Sequence, residues 1–510
     1  MNEKIRSFNR DFDAIVNIHG ERPVFIPVFD GQQTITYEQL NELVFRHFAW
    51  FDHLGLKRGD RIGALVPNSV EMLALFIACL RGGYGFAPLA CDTTSNEAEN
   101  WAKLIRPACV IVGNIIPEPV RKGLLVSSVI CVEVKADGNF SHLPTNSQTV
   151  YCATGAKIFL FTSGTTGQPK AIVLDSDRLW SSGHAFLRMH GFNFNSNFRI
   201  WNYLPQSYLG GLFNLCLIPM TVAGSVVVDE TFSGKTFLGY WQTIDRYDLT
   251  ALWFVPTIIR GLLAIGEKTH RNEAKSYKEI IKIAFLGTSQ IGLSEKRRFE
   301  EVFGIPLLEN YALSETTFLT TETANSISVR CEGSVGGVLP NVEITFRPVE
   351  GGIAYEFQEI LIKTPFIFDG YLNERGEVLG PFENGFFPTG DLGYLDNNGQ
   401  LIITGRCKDI IKKGGQLVSL REIENLAMRS PFVESAAATV ISHSFYGECY
   451  VLFVQLLQPI DVATEDVVRN YLYSTLAKYK WPEKIEFVDK FQYTGSGKIR
   501  KFLLRSKGDL

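Results

Sequence analysis

Several things are scarce in this sequence, and each scarcity excludes something. The nine cysteines, at positions 79, 91, 109, 131, 152, 216, 331, 407 and 449, form no CxxC pair and follow no regular spacing. That argues against a disulfide framework or a zinc site and leaves reduced, mostly buried thiols as the expectation. Positive charge is not in excess. The 50 Lys and Arg against 54 Asp and Glu leave a net charge of −4, without the basic footprint of a nucleic-acid-binding chain. No apolar run is long enough for a transmembrane segment: Met72 to Leu80 is closed by Arg81-Gly82-Gly83. Met1 to Arg6 lacks the apolar core of a secretion signal, and Lys507 to Leu510 is neither a retention nor a peroxisomal signal. There is no repeat period and no low-complexity tract. An intracellular globular protein is expected, and 510 residues with 45% hydrophobic content suffice for more than one cored domain.

What is present is an alternation of strands and helices. Thr36 to Gly55 reads as a helix, with Thr36 and Gln39 placed to cap its start and Leu40, Leu43, Val44 and Phe48 at helical spacing. Arg61 to Val66 reads as a strand, Ser69 to Leu80 as a helix, and Tyr84 to Ala87 and Val110 to Gly113 as strands flanking a helix around Ala98 to Leu104. Strands recur at Ser225 to Val228, Ala251 to Val255 and Ile281 to Leu286. This is the pattern of parallel sheets with helical crossovers. After about Gly337 short alternating runs, Val342 to Phe346 and Glu359 to Ile362, announce β-rich structure. A second compact unit is expected just after Arg406. It has a helix opened by Leu420 to Glu424, strands near Ala436 to Val440 and Tyr450 to Gln455, and a helix from about Thr464 to Ala477. The expected fold class is therefore α/β. A large N-terminal domain (1–406) combines parallel-type sheets, helices and a β-rich subdomain, and a small α+β domain (407–510) follows.

The most informative stretch is Ser163-Gly164-Thr165-Thr166-Gly167-Gln168-Pro169-Lys170, directly after Thr162 and the apolar run Ile158 to Phe161. Glycines let backbone approach a polyphosphate closely, while N–H groups and hydroxyls supply donors to anionic oxygens. The spacing is not that of a P-loop NTPase, because two residues separate the last glycine from the lysine and no Ser or Thr follows it. Four further blocks follow in order: Tyr311-Ala312-Leu313-Ser314-Glu315, Thr389-Gly390-Asp391, Gly405 to Gly415, and Thr494-Gly495-Ser496-Gly497-Lys498. Ile35-Thr36-Tyr37 and Leu65 to Ser69 add to them near the start. Together these motifs resemble those of the adenylate-forming superfamily of acyl-CoA synthetases, peptide-synthetase adenylation domains and firefly-type luciferases, over almost the whole chain.

The resemblance implies a role for each matching residue. Thr162, Ser163, Gly164, Thr165, Thr166, Gly167 and Lys170 would hold the β- and γ-phosphates of ATP, and Thr166 and Glu315 would hold Mg²⁺. Tyr311 would stack on adenine, with Gly287 and Thr288 on the other face and Asn310, Ala312 and Ser314 in the same motif. Asp391 would accept hydrogen bonds from the ribose hydroxyls, beside Arg406. Lys498 would bridge the substrate carboxylate and the α-phosphate as the catalytic lysine, with Glu315 assisting through the metal. The C-terminal domain would be a mobile lid turning about a hinge at Lys408, with Lys412, Gly414 and Gly415 bordering a pantetheine tunnel. Tyr208, Gly210, Gly211, Trp253 and Phe254, with the Asn310 region, would line the acyl pocket.

Departures from the pattern narrow the substrate. Tyr208 stands where the family often has His, and Leu209 replaces the Asp that pairs with an α-ammonium, which disfavours an α-amino acid. Asn310 and Ala312 stand where Gly is frequent and trim the pocket. Leu420 replaces a usual Pro, and Gln492-Tyr493 a usual Pro-Arg. The resemblance implies a cytoplasmic ATP- and Mg²⁺-dependent acid–thiol ligase that adenylates a medium-chain or aryl carboxylic acid and passes it to CoA. The nearest alternative passes the acyl group to a phosphopantetheine arm on an acyl or peptidyl carrier protein. A luciferase-like oxygenase and a catalytically silent nucleotide binder stand further off.

Overall fold

A computed structural model describes residues 4–28, 33–124, 130–134, 155–162, 170–191, 194–269, 280–288, 291–349, 357–459, 462–492 and 499–504. Three sheets organise them. The largest has thirteen strands. Its centre is parallel and runs Pro23–Pro27, Ser225–Val228, Arg199–Asn202, Ala251–Phe254, Ile283–Leu286, Leu308–Leu313. The last of these pairs antiparallel with Thr317–Thr321, and five more antiparallel strands continue to Glu343–Pro348. The β-rich texture after Gly337 therefore extends the parallel sheet rather than standing beside it. The hairpin Leu308–Leu313/Thr317–Thr321 makes the change of direction, and both its strands are largely buried.

The second sheet has eight strands, with Gly85–Pro88, Arg61–Leu65, Cys109–Gly113 and Ile130–Val134 in parallel. Lys157–Thr162 pairs antiparallel with Lys170–Asp175, so the Gly/Thr-rich segment joins two neighbouring antiparallel strands. Gly370–Leu372 returns from two hundred positions later to pair with Lys170–Asp175, Tyr371 opposite Ile172. The helix Val70–Gly82 is apolar nearly all round and buried along its length, as expected of a helix packed on every side. The helix Tyr37–His53 starts on a complete capping box: the Thr36 hydroxyl accepts from the Gln39 backbone N–H and the Gln39 side chain answers.

From Ile410 onward a five-stranded sheet with the helices Leu420–Met428 and Val462–Thr475 has its own core of Ile411, Val418, Leu420, Ile423, Leu452 and Leu472. Among the described residues no helix is long and apolar enough to cross a membrane.

Candidate functional site

Tyr311, near the end of the last parallel strand, meets Asp391 and Arg406 from the antiparallel part of the same sheet. Asp391 lies within the strand Phe387–Leu395 and Arg406 ends the strand Gln400–Arg406; the two are register partners. Asp391 is 4% exposed. Its Oδ1 is 3.0 Å from Arg406 Nε, and its Oδ2 accepts the Tyr311 hydroxyl at 2.7 Å. Thr389 fixes the bend before it, donating to the Ile360 carbonyl and accepting from the Asp391 N–H at 3.0 Å. An ionised carboxylate has about four lone-pair sites. One used on each oxygen leaves one on each for a pair of vicinal hydroxyls. Tyr311 is buried, and burial, with the Asp391 charge next, raises its hydroxyl well above the usual phenol range. It stays a donor at any physiological pH. A β-bulge between Tyr311 and Ala312 re-aims this side chain, leaving Ala312 exposed beside it.

Glu315 follows in the hairpin turn, with Ser314 half-buried before it. Its Oε1 accepts the Tyr371 hydroxyl at 2.8 Å, and its backbone carbonyl accepts the Phe368 N–H. Tyr371 also carries the Lys170 ammonium over its ring at 4.9 Å. One tyrosine thus joins the acid of the largest sheet to the lysine of the second. Asp369 anchors its segment through Lys157 at 2.8 Å and Arg178 at 3.0 Å. Among the described residues no three His, Cys, Asp or Glu gather as a metal cage. Mg²⁺ keeps waters and phosphate oxygens as most of its ligands, so a single carboxylate such as Glu315 would fit it.

Tyr371 was missed in the sequence. The apolar, aromatic run Phe366-Ile367-Phe368 before it carries no signal beyond core. Tyr371→Phe keeps the ring but removes the hydrogen bond to a charged group, about 1.5–3 kcal/mol. The half-saturating Mg²⁺ concentration for ATP turnover is expected to rise roughly tenfold, with the thermal midpoint lowered by no more than about a few degrees. Equal Mg²⁺ curves for variant and parent would remove Tyr371 from the site.

Beneath the adenine-motif strand lies a buried ion network. Lys296 Nζ is 3.2 Å from Glu309 and 2.5 Å from Glu322, and Arg330 reaches Glu322 at 2.9 Å and Glu300 at 2.6 Å. Three carboxylates face two cations. Burial, opposed by Lys296 and helped by Glu322, pushes the Glu309 carboxyl up to about 7.

At the acyl side, Asn68 donates to the Leu204 carbonyl and accepts from the Gln206 N–H, while Gln206 accepts from the Ser69 N–H. This reciprocal pair fixes the segment ending in Tyr208, which is 38% exposed. Gly210 and Gly211 open a π-helical stretch, Gly210–Leu217. A Cβ on Gly211 would lie 2.4 Å from the Pro205 carbonyl oxygen, so only glycine fits. Phe254 and Trp253, both expected at the acyl pocket, lie on opposite faces of the strand Ala251–Phe254. Phe254 is fully buried against Tyr240 and Phe299. Its neighbour Trp253 takes the opposite face, against Phe186, Phe285 and Phe318, as the two-residue period of a strand demands.

Gly287 and Thr288 follow the strand Ile283–Leu286, and Asn310 donates to the Leu286 carbonyl at 2.8 Å. Lys408 lies in the short turn Cys407–Asp409; burial first, then the Arg406 charge, lowers its ammonium. Arg421, on the helix Leu420–Met428, is likewise lowered by burial, against the opposing Glu424 and Asp391 charges. Lys412 is exposed, with Gly414 and Gly415 in the following turn. Lys413 instead donates to the Trp481 carbonyl at 2.6 Å and serves packing. Ser163, Gly164, Thr165, Thr166, Gly167, Gln168 and Pro169, and Thr494, Gly495, Ser496, Gly497 and Lys498, lie outside the described residues; so does the Thr162 side chain.

Comparison with known proteins gives the family. The oxalate–CoA ligase of Arabidopsis thaliana is 27% identical over 490 residues, covering 92% of this chain and 93% of that protein. The 2-succinylbenzoate–CoA ligase of Bacillus pumilus is 26% identical over 487 residues, covering 93% and 92%. The structure of ATP-bound MatB from Rhodopseudomonas palustris superposes with a TM-score of 0.85 at 25% identity, over 97% of this chain and 98% of that one. Residues 12–372 match the AMP-binding enzyme family and residues 422–498 its C-terminal domain. The chain belongs to the AMP-binding enzymes, the adenylate-forming superfamily whose motifs its sequence carries.

Proposed function

We infer that this protein is an ATP- and Mg²⁺-dependent acid–CoA ligase of cytoplasmic location, acting on an aryl-sized carboxylic acid. The observation that carries the reading is the preset triad of Tyr311, Asp391 and Arg406 with Glu315 nearby, in a chain whose relatives are CoA ligases. Asp391 receives the two ribose hydroxyls, and Arg406 holds that carboxylate in place. Lys170 and the Ser163–Pro169 segment receive the β- and γ-phosphates. Glu315 and Thr166 hold Mg²⁺, which when bound neutralises phosphate charge. Lys498 balances the charge that develops as a substrate carboxylate oxygen bonds to the α-phosphorus and the bond to pyrophosphate breaks. Residues 407–510 then turn about Lys408 and bring Lys412, Gly414 and Gly415 to the pantetheine arm. The CoA thiolate attacks the acyl carbon and AMP leaves.

The test is acid-dependent ATP–pyrophosphate exchange over a panel of aryl, fatty and amino acids, followed by CoA addition. Exchange plus a CoA thioester supports the ligase. Exchange without a thioester moves the acceptor to a carrier protein, and no exchange with any acid overturns the reading.

A further inference from the structure

Two buried hydrogen-bond donors, on Trp253 and Thr288, have no hydrogen-bond partner among the described residues. Trp253 is 1% exposed. Its carbonyl accepts the Tyr203 hydroxyl, yet its indole Nε1–H has no partner. The Thr288 hydroxyl is also buried without a partner, on a β-branched residue held at φ +76°. Such a residue at positive φ is a true outlier, and strain of this kind collects at ligand sites.

Gly287 links the two residues: it precedes Thr288 in the chain and its bare face lies against the Trp253 ring. A Cβ there would lie 3.4 Å from Trp253 Cζ2, the ring carbon two bonds from the indole nitrogen, and 3.0 Å from Asn310 Oδ1. Trp253 pairs with Phe285, and Gly287 lies two residues further on, so the indole and the bare face of Gly287 share one side of the sheet. That side continues through Phe318 to Phe213 on the π-helical stretch that begins at Gly210. This row of rings links the indole to the segment that begins with Tyr208 and Gly210, where the acyl group is expected. Asn310, its amide tied to Leu286, and the indole close around the bare face of Gly287.

An unpaired buried N–H or O–H costs about 1–3 kcal/mol, a cost removed when a ligand oxygen meets it. Two neutral donors suit an uncharged acceptor, because they do not offset the burial of a second anion. We propose that the acid is compact and carries, besides its carboxylate, an uncharged oxygen acceptor (hydroxyl, ether or carbonyl) received by Trp253 Nε1–H and Thr288 Oγ–H. This rests on the ligase reading above.

The experiment compares oxygen-bearing acids with their methyl isosteres in ATP–pyrophosphate exchange. The pairs are 2-, 3- and 4-hydroxybenzoate against the methylbenzoates, and 2-hydroxypropanoate against 2-methylpropanoate. At least one pair is expected to favour the oxygen acid by about a hundredfold in kcat/KM. Trp253→Phe should bring that ratio below about ten, and Thr288→Val, which leaves the aromatic cluster intact, should lower it independently. Asn310→Gly should admit acids at least one ring or several methylenes longer. Exchange in which every methyl isostere equals its oxygen partner, or a ratio that survives both substitutions, overturns the inference while leaving the ligase standing. Absence of exchange with all acids overturns both.

Discussion

Lys498→Ala is expected to cut acid-dependent ATP–pyrophosphate exchange by about 10²–10³-fold while the dissociation constant for ATP moves less than about threefold. An ammonium that meets charge developing on the α-phosphate contributes to the transition state and little to the ground state. The local scaffold makes the comparison clean. Arg500 N–H donates to the Gln492 carbonyl at 2.8 Å, drawing the two ends of the 493–498 segment together. Ile499 and Leu504 pack against the cluster of Ala437, Val451, Phe453 and Phe491. Truncating Lys498 removes an ammonium and leaves that anchor untouched. ATP binding is read by calorimetry beside the exchange assay, and equal modest losses in both would refute the assigned role.

The largest stability effect is expected at Lys296→Met. Lys296 is 2% exposed between Glu309 and Glu322. Breaking a buried ion pair by removing one partner costs about 3–5 kcal/mol, because the remaining charge is left uncompensated. A matching drop in unfolding midpoint and soluble yield is expected, and a melting curve superposable on the parent's would discount the network. The surplus of carboxylates gives a second readout. Glu309 titrates near 7 in the fold, above its unfolded value. The folded state thus holds that proton more tightly, and stability falls as pH rises from the ordinary carboxylate range through about 7. Glu309→Gln should flatten that slope, and in the double variant should recover part of the Lys296→Met loss.

Much of this was legible along the chain, and the illegible parts share a cause. Local signals survived: the Thr36/Gln39 capping box stands as read, and the strand Ser225–Val228 runs where its apolar residues indicated. The order of strands was not legible, since pairing across two hundred residues leaves no mark on either segment. The three residues Gly370–Leu372 carry too little pattern to announce a strand, and with them Tyr371 was lost. Asp391 was recognisable by its motif, but its place in a strand opposite Arg406 was not. Trp253 and Phe254 could not be told apart, because an unbroken apolar run hides which face looks into the site. The π-helical stretch after Tyr208 likewise has no apolar periodicity of its own, being apolar but for Asn214.

The pairing of Gly370–Leu372 with Lys170–Asp175 also sets a timetable for biosynthesis. A ribosome adds roughly 5–20 residues each second, so the strand that completes this edge emerges about 10–40 s after the one it covers. During that interval the nascent chain presents Lys170–Asp175 as an open edge, a template for pairing with other chains. Four of its six residues are apolar and buried in the finished protein. Slow synthesis or a pause before Gly370 lengthens that exposure, and chaperone occupancy of nascent chains should peak in this window.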